Sequence, residues 1–383
     1  MEKPNSLMNR AVNRRSLLKT GALAGGAVAI GAGLLGGGTR AFGQDREDRL
    51  SRGDIAILRF LAAAELLESD LWIQYTELGG LTPGQLPLET LQTPPLNSYQ
   101  AAFLNLDGDG PQYISSNTLD EISHATFLNA YLESKGAEPV DLDKFRTLKG
   151  SQATGSTGIG RLTNLMHLNV DTSWFTRYRS TKNPDFGATF PQAVTITNRT
   201  AIPITDADFA DANHIQVIAN TAAFHFAMIE QGGSSLYQAL GRKTSSLEVL
   251  KITQAIGGDE IAHFLEWVDF AGNGVQQPVA PVSDSGLTFP DFFAPLNPNE
   301  PASPTNPNNP AIQPSLIFPV PCEFIRPDLP HCAVIRPTDD KFAGAQAAVA
   351  ALTGDQLFLG QTPAFFQTLK LLAEEADAAF REF

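Results

Sequence analysis

One five-residue phrase occurs twice in this chain, as Asp120-Glu121-Ile122-Ser123-His124 and as Asp259-Glu260-Ile261-Ala262-His263. Each copy sits in a stretch whose apolar residues recur every three or four positions. Leu128 and Tyr131 follow the first copy; Ile256 precedes the second and Trp267 follows it. Residues at i and i+3 project from one side of an α-helix, so each Glu-x-x-His pair lies on the stripe that faces a core. A lone Glu-x-x-His is usually an ion pair on a solvated helix face. Two copies on apolar stripes mean something else, because buried charge must be paired or neutralised.

Two further helices are predicted around them. The first runs from an expected N-cap at Asp54 through "IAILRFLAAAELLESDLWIQYTEL", with Leu58, Leu61, Glu65, Glu68, Trp72 and Tyr75 on one face. The second begins after the acidic "DADFAD" and runs to Gly241, with Ala223, Phe226, Glu230, Gly233 and Tyr237 on one face. Glu65 precedes Trp72 by seven residues, and Glu230 precedes Tyr237 by the same interval. In that register Glu65 matches Glu230, and Glu68 faces the position of Gly233. Glu65 is therefore the better inward ligand, with Glu68 as the alternative.

The helices bearing the twin phrase are expected from Asn117 or Thr118 to about Lys135, before Gly136, and from about Ser245 to Phe270. Residues 79–116 read as an irregular insert rich in turn residues, and 137–208 as a long crossover. The crossover is expected to hold one helix near "GRLTNLMHLNVDTSWFTRY" and a strand-like "AVTITN". The fold class expected is all-α, a four-helix bundle with one long crossover, over residues 44–276. A Pro/Asn-rich wrapping segment (277–340) and a C-terminal helical extension (341–383) follow.

Four carboxylates and two imidazoles converging in such a core would repel and be desolvated unless compensated. Two divalent cations balance them. Carboxylate and imidazole donors suit iron, with manganese or zinc as alternatives. The candidate metal ligands are Glu65, Glu121, His124, Glu230, Glu260 and His263. The competing expectation is a bundle that keeps these groups, protonated or hydrogen-bonded, as scaffold without metal. His225 lies about 140° round its helix from Glu230 and is not expected to join them. His214 and His167 read as ordinary polar residues.

The stretches "AELLESDLW", "DEISHATFLNAYLESKGAEPVDL", "MIEQGGSSLYQAL" and "GGDEIAHFLEWV" resemble the ferritin-like superfamily, which includes ferritin, bacterioferritin and rubrerythrin. They look closest to its secreted and desiccation-related bacterial branch. The resemblance covers the four helices, under half of the chain. It implies that Glu121 and Glu260 bridge two metals, that Glu65 and His124 hold one, and that Glu230 and His263 hold the other. It also suggests Asp120 and Asp259 as partners of the histidine ring N–H groups across the bundle; the alternative is that they are plain solvated acids. Trp72 and Tyr237 read as core packing first and as redox-active neighbours second.

The N-terminus is a separate object. "NRRSLLK", with Arg14 and Arg15, precedes a Gly- and Ala-rich apolar run and then "AFG". This resembles a twin-arginine (Tat) signal spanning residues 1–43 and cleaved near Gly43; a membrane anchor is the alternative. Export implies a periplasmic or secreted protein, with the Tat translocase as a transient partner. Net charge is −14, which argues against nucleic acid and anionic membrane as partners. In an oxidising compartment a disulfide between Cys322 and Cys332 is expected, ahead of free thiols or a metal site.

Together these features lead to an expected oxidoreductase acting on Fe(II), dioxygen or peroxide, with homo-oligomers possible in principle. No CxxC pair is present for a rubredoxin-type centre. The second expectation is a non-enzymatic secreted protective or structural protein.

Overall fold

A computed structural model describes residues 50–79, 95–106, 110–158, 160–175, 192–271, 279–292, 326, 328, 330 and 344–382. The signal-like segment, both cysteines and most of the Pro/Asn-rich segment lie outside these. Among the described residues the protein is mostly helical, as expected for the all-α class, and its strands are short. No helix there is long and apolar enough to cross a membrane.

Helix α1 spans Arg52–Thr76 and α2 Gly110–Ser134; α3 is Ala212–Gly241 and α4 Leu247–Ala271. Helix α1 packs on α2, and α3 on α4. Their shared interior holds Leu58, Leu61, Trp72, Leu128, Phe226 and Trp267, each essentially inaccessible. The N-cap of α1 is Ser51, whose hydroxyl accepts the amide of Asp54 at 3.0 Å, so the cap lies earlier than expected. Asp54 instead accepts the amides of Ser245 and Ser246 at 2.9 and 3.1 Å. These amides lead into α4, where helix geometry leaves N–H groups without intrahelical partners. One buried acid thus fixes the start of one helix against the start of another.

Helix α2 begins at Gly110, about two turns before the expected start. Its first turn carries Pro111, a residue compatible with a first turn because its missing N–H would have had no partner there. It ends as expected at Gly136. That glycine has φ 72° and donates to Glu133 O at 2.9 Å, while Ala137 donates to Leu132 O at 2.9 Å, the paired bonds of a Schellman close. Helix α3 starts from Asp211, which accepts the amide of Asn213 at 2.8 Å.

The crossover corrects one expectation. In "GRLTNLMHLNVDTSWFTRY" residues 160–172 form no helix, residues 173–175 are helical, and the rest of the segment lies outside the described residues. Leu168–Val170 is strand β1, paired antiparallel with β2, Ile196–Arg199. The expected strand-like "AVTITN" is therefore real, and it recruits the preceding segment as its partner. Two ion pairs made by buried carboxylates anchor the crossover. Asp70 accepts Arg146 Nη1 at 2.6 Å and the amides of Leu162 and Thr163 at 3.0 and 2.9 Å. Glu77 accepts Arg161 Nη2 at 2.6 Å and Thr157 Oγ1 at 2.9 Å.

The start of the expected wrapping segment holds a hairpin, β3 (Val282–Asp284) with β4 (Leu287–Phe289). The C-terminal extension contains α5, Ala345–Gly354, and α6, Pro363–Asp377. It is integral to the body: α6 packs on α1. Asp377 accepts the amides of Ala345 and Gln346 at 2.8 and 2.9 Å, and its carbonyl accepts Lys243 Nζ at 3.0 Å.

Candidate metal centre

The helical spacing of three and four stacks Asn117, Glu121, His124 and Leu128 on the inner side of α2, all of them buried. Glu260 and His263 do the same on α4, Glu65 on α1 and Glu230 on α3. The structure brings these acids and histidines into two overlapping groups. Glu65, Glu121, His124 and Glu260 form one; Glu121, Glu230, Glu260 and His263 form the other. Within each, one donor atom per residue lies within 4.8 Å of all the others. Glu121 and Glu260 are common to both. Such groups could hold metal ions.

Both imidazoles turn Nδ1 inward. His124 Nδ1 lies 3.4 Å from Glu65, 3.3 Å from Glu121 and 3.7 Å from Glu260. His263 Nδ1 lies 3.0 Å from Glu121 and 3.4 Å from Glu230. One ring nitrogen carries at most one proton, so it cannot bond all these oxygens. Donors on one ion with bonds of about 2.1 Å are about 3.0 Å apart at right angles and about 3.4 Å apart at a tetrahedral angle. The observed separations fall mostly in that range.

The oxygens themselves make the same point. Glu65 Oε2, Glu230 Oε2 and both oxygens of Glu260 are buried and accept no hydrogen bond. Buried polar atoms are nearly always satisfied, so four orphaned acceptors around two Nδ1 atoms form a setting that could hold a cation. Gly233 shapes it. A Cβ there would stand 2.0 Å from Glu260 Oε2, so only glycine leaves room for that carboxylate. Gly257 on α4 likewise lets Tyr237 approach, since its Cβ would meet that side chain at 2.8 Å. Ser234 Oγ donates to Glu260 O at 3.0 Å and ties α3 to α4 at this level.

The outward nitrogens meet Asp259 and Asp120 across the helices. His124 Nε2 is 3.2 Å from Asp259, and His263 Nε2 is 3.4 Å from Asp120. Both aspartates keep nearly half of their side-chain surface in solvent. An acid on Nε2–H fixes the tautomer that leaves Nδ1 free to ligate. Glu68 stands apart. It belongs to neither group and is only partly buried. Its carboxyl is nevertheless held well above the usual range, by loss of solvation and then by the charges of Glu121, Glu65 and Glu230.

The electrostatics without an ion are those of excess negative charge. Burial, then the charges of Glu230 and Glu65, raise the Glu121 carboxyl to about 8. Burial and Glu121 push Glu260 well up. Burial opposes a charge on His124, yet hydrogen bonds with Asp259 and Glu121 and the adjacent Glu65 carboxylate outweigh it and raise the imidazolium to about 12. His263 is raised against burial chiefly by the charge of Glu230 and its bonds to Asp120 and Glu121.

Two neighbours complete the centre. Tyr237 donates its phenol proton to Glu65 Oε1. Asn117, which the sequence reading took only as a helix start, donates to Glu121 at 2.8 Å and Glu230 at 3.1 Å, and accepts Trp267 Nε1 at 2.6 Å. Its signal was available: it stands four residues before Glu121, on the same stripe. Trp72 stacks on Trp267 with ring centroids 5.4 Å apart. His225 lies away from the cluster and pairs with Tyr75 at 2.6 Å. His214 bonds Asp284 and Asp208, and His167 bonds Asn198. Cys322 and Cys332 lie outside the described residues.

Compared with family models, curated proteins and solved structures, the chain has no match in any of the three.

Proposed function

We propose that α1 to α4 form a ferritin-like bundle holding a carboxylate-bridged pair of divalent metals, best suited to iron, and that the protein is an exported oxidoreductase acting on Fe(II), dioxygen or peroxide. The observation that carries this reading is the set of orphaned carboxylate oxygens around two inward Nδ1 atoms. In this reading Glu65 and His124 would hold one ion and Glu230 and His263 the other, with Glu121 and Glu260 available to both. When bound, such a pair supplies two-electron redox chemistry toward small oxidants.

The protein's own groups prepare the site. Asp259 and Asp120 hold the Nε2 protons and orient the rings. Asn117 fixes Glu121 and Glu230 from one side, and the Tyr237 phenol holds its proton at Glu65. Trp72, Phe226 and Trp267 form an apolar wall that keeps water from the carboxylates. The twin-arginine segment supports export to the periplasm or beyond through the Tat translocase, a route suited to a protein that folds around its metal first.

Anaerobic purification with elemental analysis, followed by Fe(II) oxidation and peroxide consumption, tests the reading. About two metals per chain with turnover of either substrate is expected. A second reading is a secreted, non-enzymatic protective or structural bundle. It draws support from the two imidazolium groups, which offset part of the acid charge without metal. Metal-free native protein, with stability unchanged in Glu121→Ala and His263→Ala, would favour that second reading.

A further inference from the structure

Tyr75 and His225 are wholly buried and lie outside the ligand groups. Tyr75 Oη is 2.6 Å from His225 Nδ1, and His225 Nε2 has no hydrogen-bond partner. Phenylalanine and leucine would fill this volume without a buried polar atom left over, so packing alone does not account for the pair. Burial holds the His225 imidazolium down to about 3, so the ring is neutral at rest, and its Nδ1 lies at hydrogen-bond distance from the Tyr75 hydroxyl. Burial also pushes the Tyr75 hydroxyl well up, so the phenol does not simply ionise. Losing its proton together with an electron avoids a buried phenolate.

The rings make a contiguous path from this pair to the carboxylates. Tyr75 lies 5.7 Å from Trp72, and Trp72 lies 5.4 Å from Trp267. Phe226 fills the angle, 4.7 Å from Tyr75 and 4.8 Å from Trp267. Trp267 Nε1 bonds Asn117, which bonds Glu121 and Glu230. Tyr237 is nearer, but its hydroxyl donates to Glu65 Oε1, on a carboxylate that would itself hold metal.

We propose that Tyr75 and His225 act as a proton-coupled electron donor to an oxidised metal pair at the carboxylate–histidine centre, with Trp72 and Trp267 as the conduit. The inference rests on the metal reading above. In the step, Tyr75 gives one electron to a metal pair that excess peroxide has oxidised beyond Fe(III), the first equivalent having only converted both Fe(II) ions to Fe(III). Its O–H bond breaks and the proton passes to His225 Nδ1. The products are a neutral phenoxyl radical, an imidazolium and a metal pair reduced by one electron. Tyr75 and His225 are thus redox and proton-accepting partners that touch no substrate.

The test uses the full chain with ring-deuterated tyrosine, loaded anaerobically with Fe(II), mixed with excess hydrogen peroxide and freeze-quenched for electron paramagnetic resonance. Iron content is measured in every sample. The wild type is expected to give a phenoxyl signal narrowed by deuteration, with the high-field signature of a radical hydrogen-bonded to a cation. Tyr75→Phe should abolish it at unchanged iron content, and Tyr237→Phe should keep it. His225→Gln, which stays polar but has no basic nitrogen, should lower the radical yield on the order of a hundredfold. A signal that survives in Tyr75→Phe, or an iron-loaded wild type without a phenoxyl radical, overturns the relay alone. A wild type that takes up no iron overturns the metal reading and the relay together. Should Tyr75→Phe not fold, the high-field signature and the His225→Gln yield decide the matter.

Discussion

Two buried acidic regions of this protein are built on opposite terms. At the crossover, Asp70 and Glu77 are sunk in the interior, and every carboxylate oxygen has a partner: Arg146, Arg161, backbone amides or a threonine hydroxyl. At the centre of α1 to α4, acids outnumber bases and four oxygens have no hydrogen bond. Burial is equal, yet satisfaction is not. A matched buried acid is architecture, whereas a surplus of unmatched ones forms a group that could hold a metal ion.

The comparison can be broken at either region. The largest effect is expected at the crossover. Arg161→Leu strands Glu77 in the interior and should cost roughly 3–5 kcal/mol, read from denaturant unfolding. Loss of under a kilocalorie there would erase the distinction. At the centre, metal should stabilise what Arg161→Leu cannot touch. Fe(II), Mn(II) or Zn(II) at a hundredfold excess over Kd should raise stability by about 2.7 kcal/mol, and the double variant Glu121→Gln, His263→Ala should lose that gain in calorimetry. Asp259→Asn weakens the orientation of His124 and should lower metal affinity about 10–100-fold in a competition titration, with the fold intact.

Acid and base act on the metal-free centre in one direction. The folded Glu121 carboxyl lies near 8 and the folded His124 near 12, both above their unfolded values of 4.5 and 6.5. The folded state therefore holds more protons than the unfolded one between about 4.5 and 8 for the first, and between about 6.5 and 12 for the second. Stability falls as pH rises through each window, most steeply between about 6.5 and 8, where they overlap. Urea midpoints against pH check this, and bound metal should flatten the slope. The smallest effect sharpens the contrast of sign. Glu260→Gln in metal-free protein removes one surplus acid and should leave stability unchanged or raise it by up to about 2 kcal/mol.

Much of this centre was legible because helical periodicity converts sequence spacing into direction. Glu-x-x-His on a stripe is already geometry, and the matched intervals Glu65–Trp72 and Glu230–Tyr237 placed the remaining acids. Glu65 over Glu68 followed from the same register, and in the structure Glu65 belongs to a donor group while Glu68 does not. What escaped lacks such a rule. Asn117 is one turn from Glu121, but an amide on a stripe carries no charge to raise an alarm. Tyr75 and His225 are 150 residues apart, and only packing shows that they meet. The β1–β2 pair failed for a related reason: a strand of three residues has too little period to outweigh neighbouring helix formers. Asp54 was read by its local role as a cap, while its partners came from a distant helix.

The packing of α6 on α1 carries a consequence for synthesis. The ribosome makes α1 first among the helices of the body and α6 last, so α1 must wait for nearly the whole body before its outer face is covered. All candidate ligands, by contrast, have been made once α4 is complete. The residues of the two donor groups can therefore come together while α1 still lacks its cover. Docking of α6 then closes that interval and completes the packing around α1.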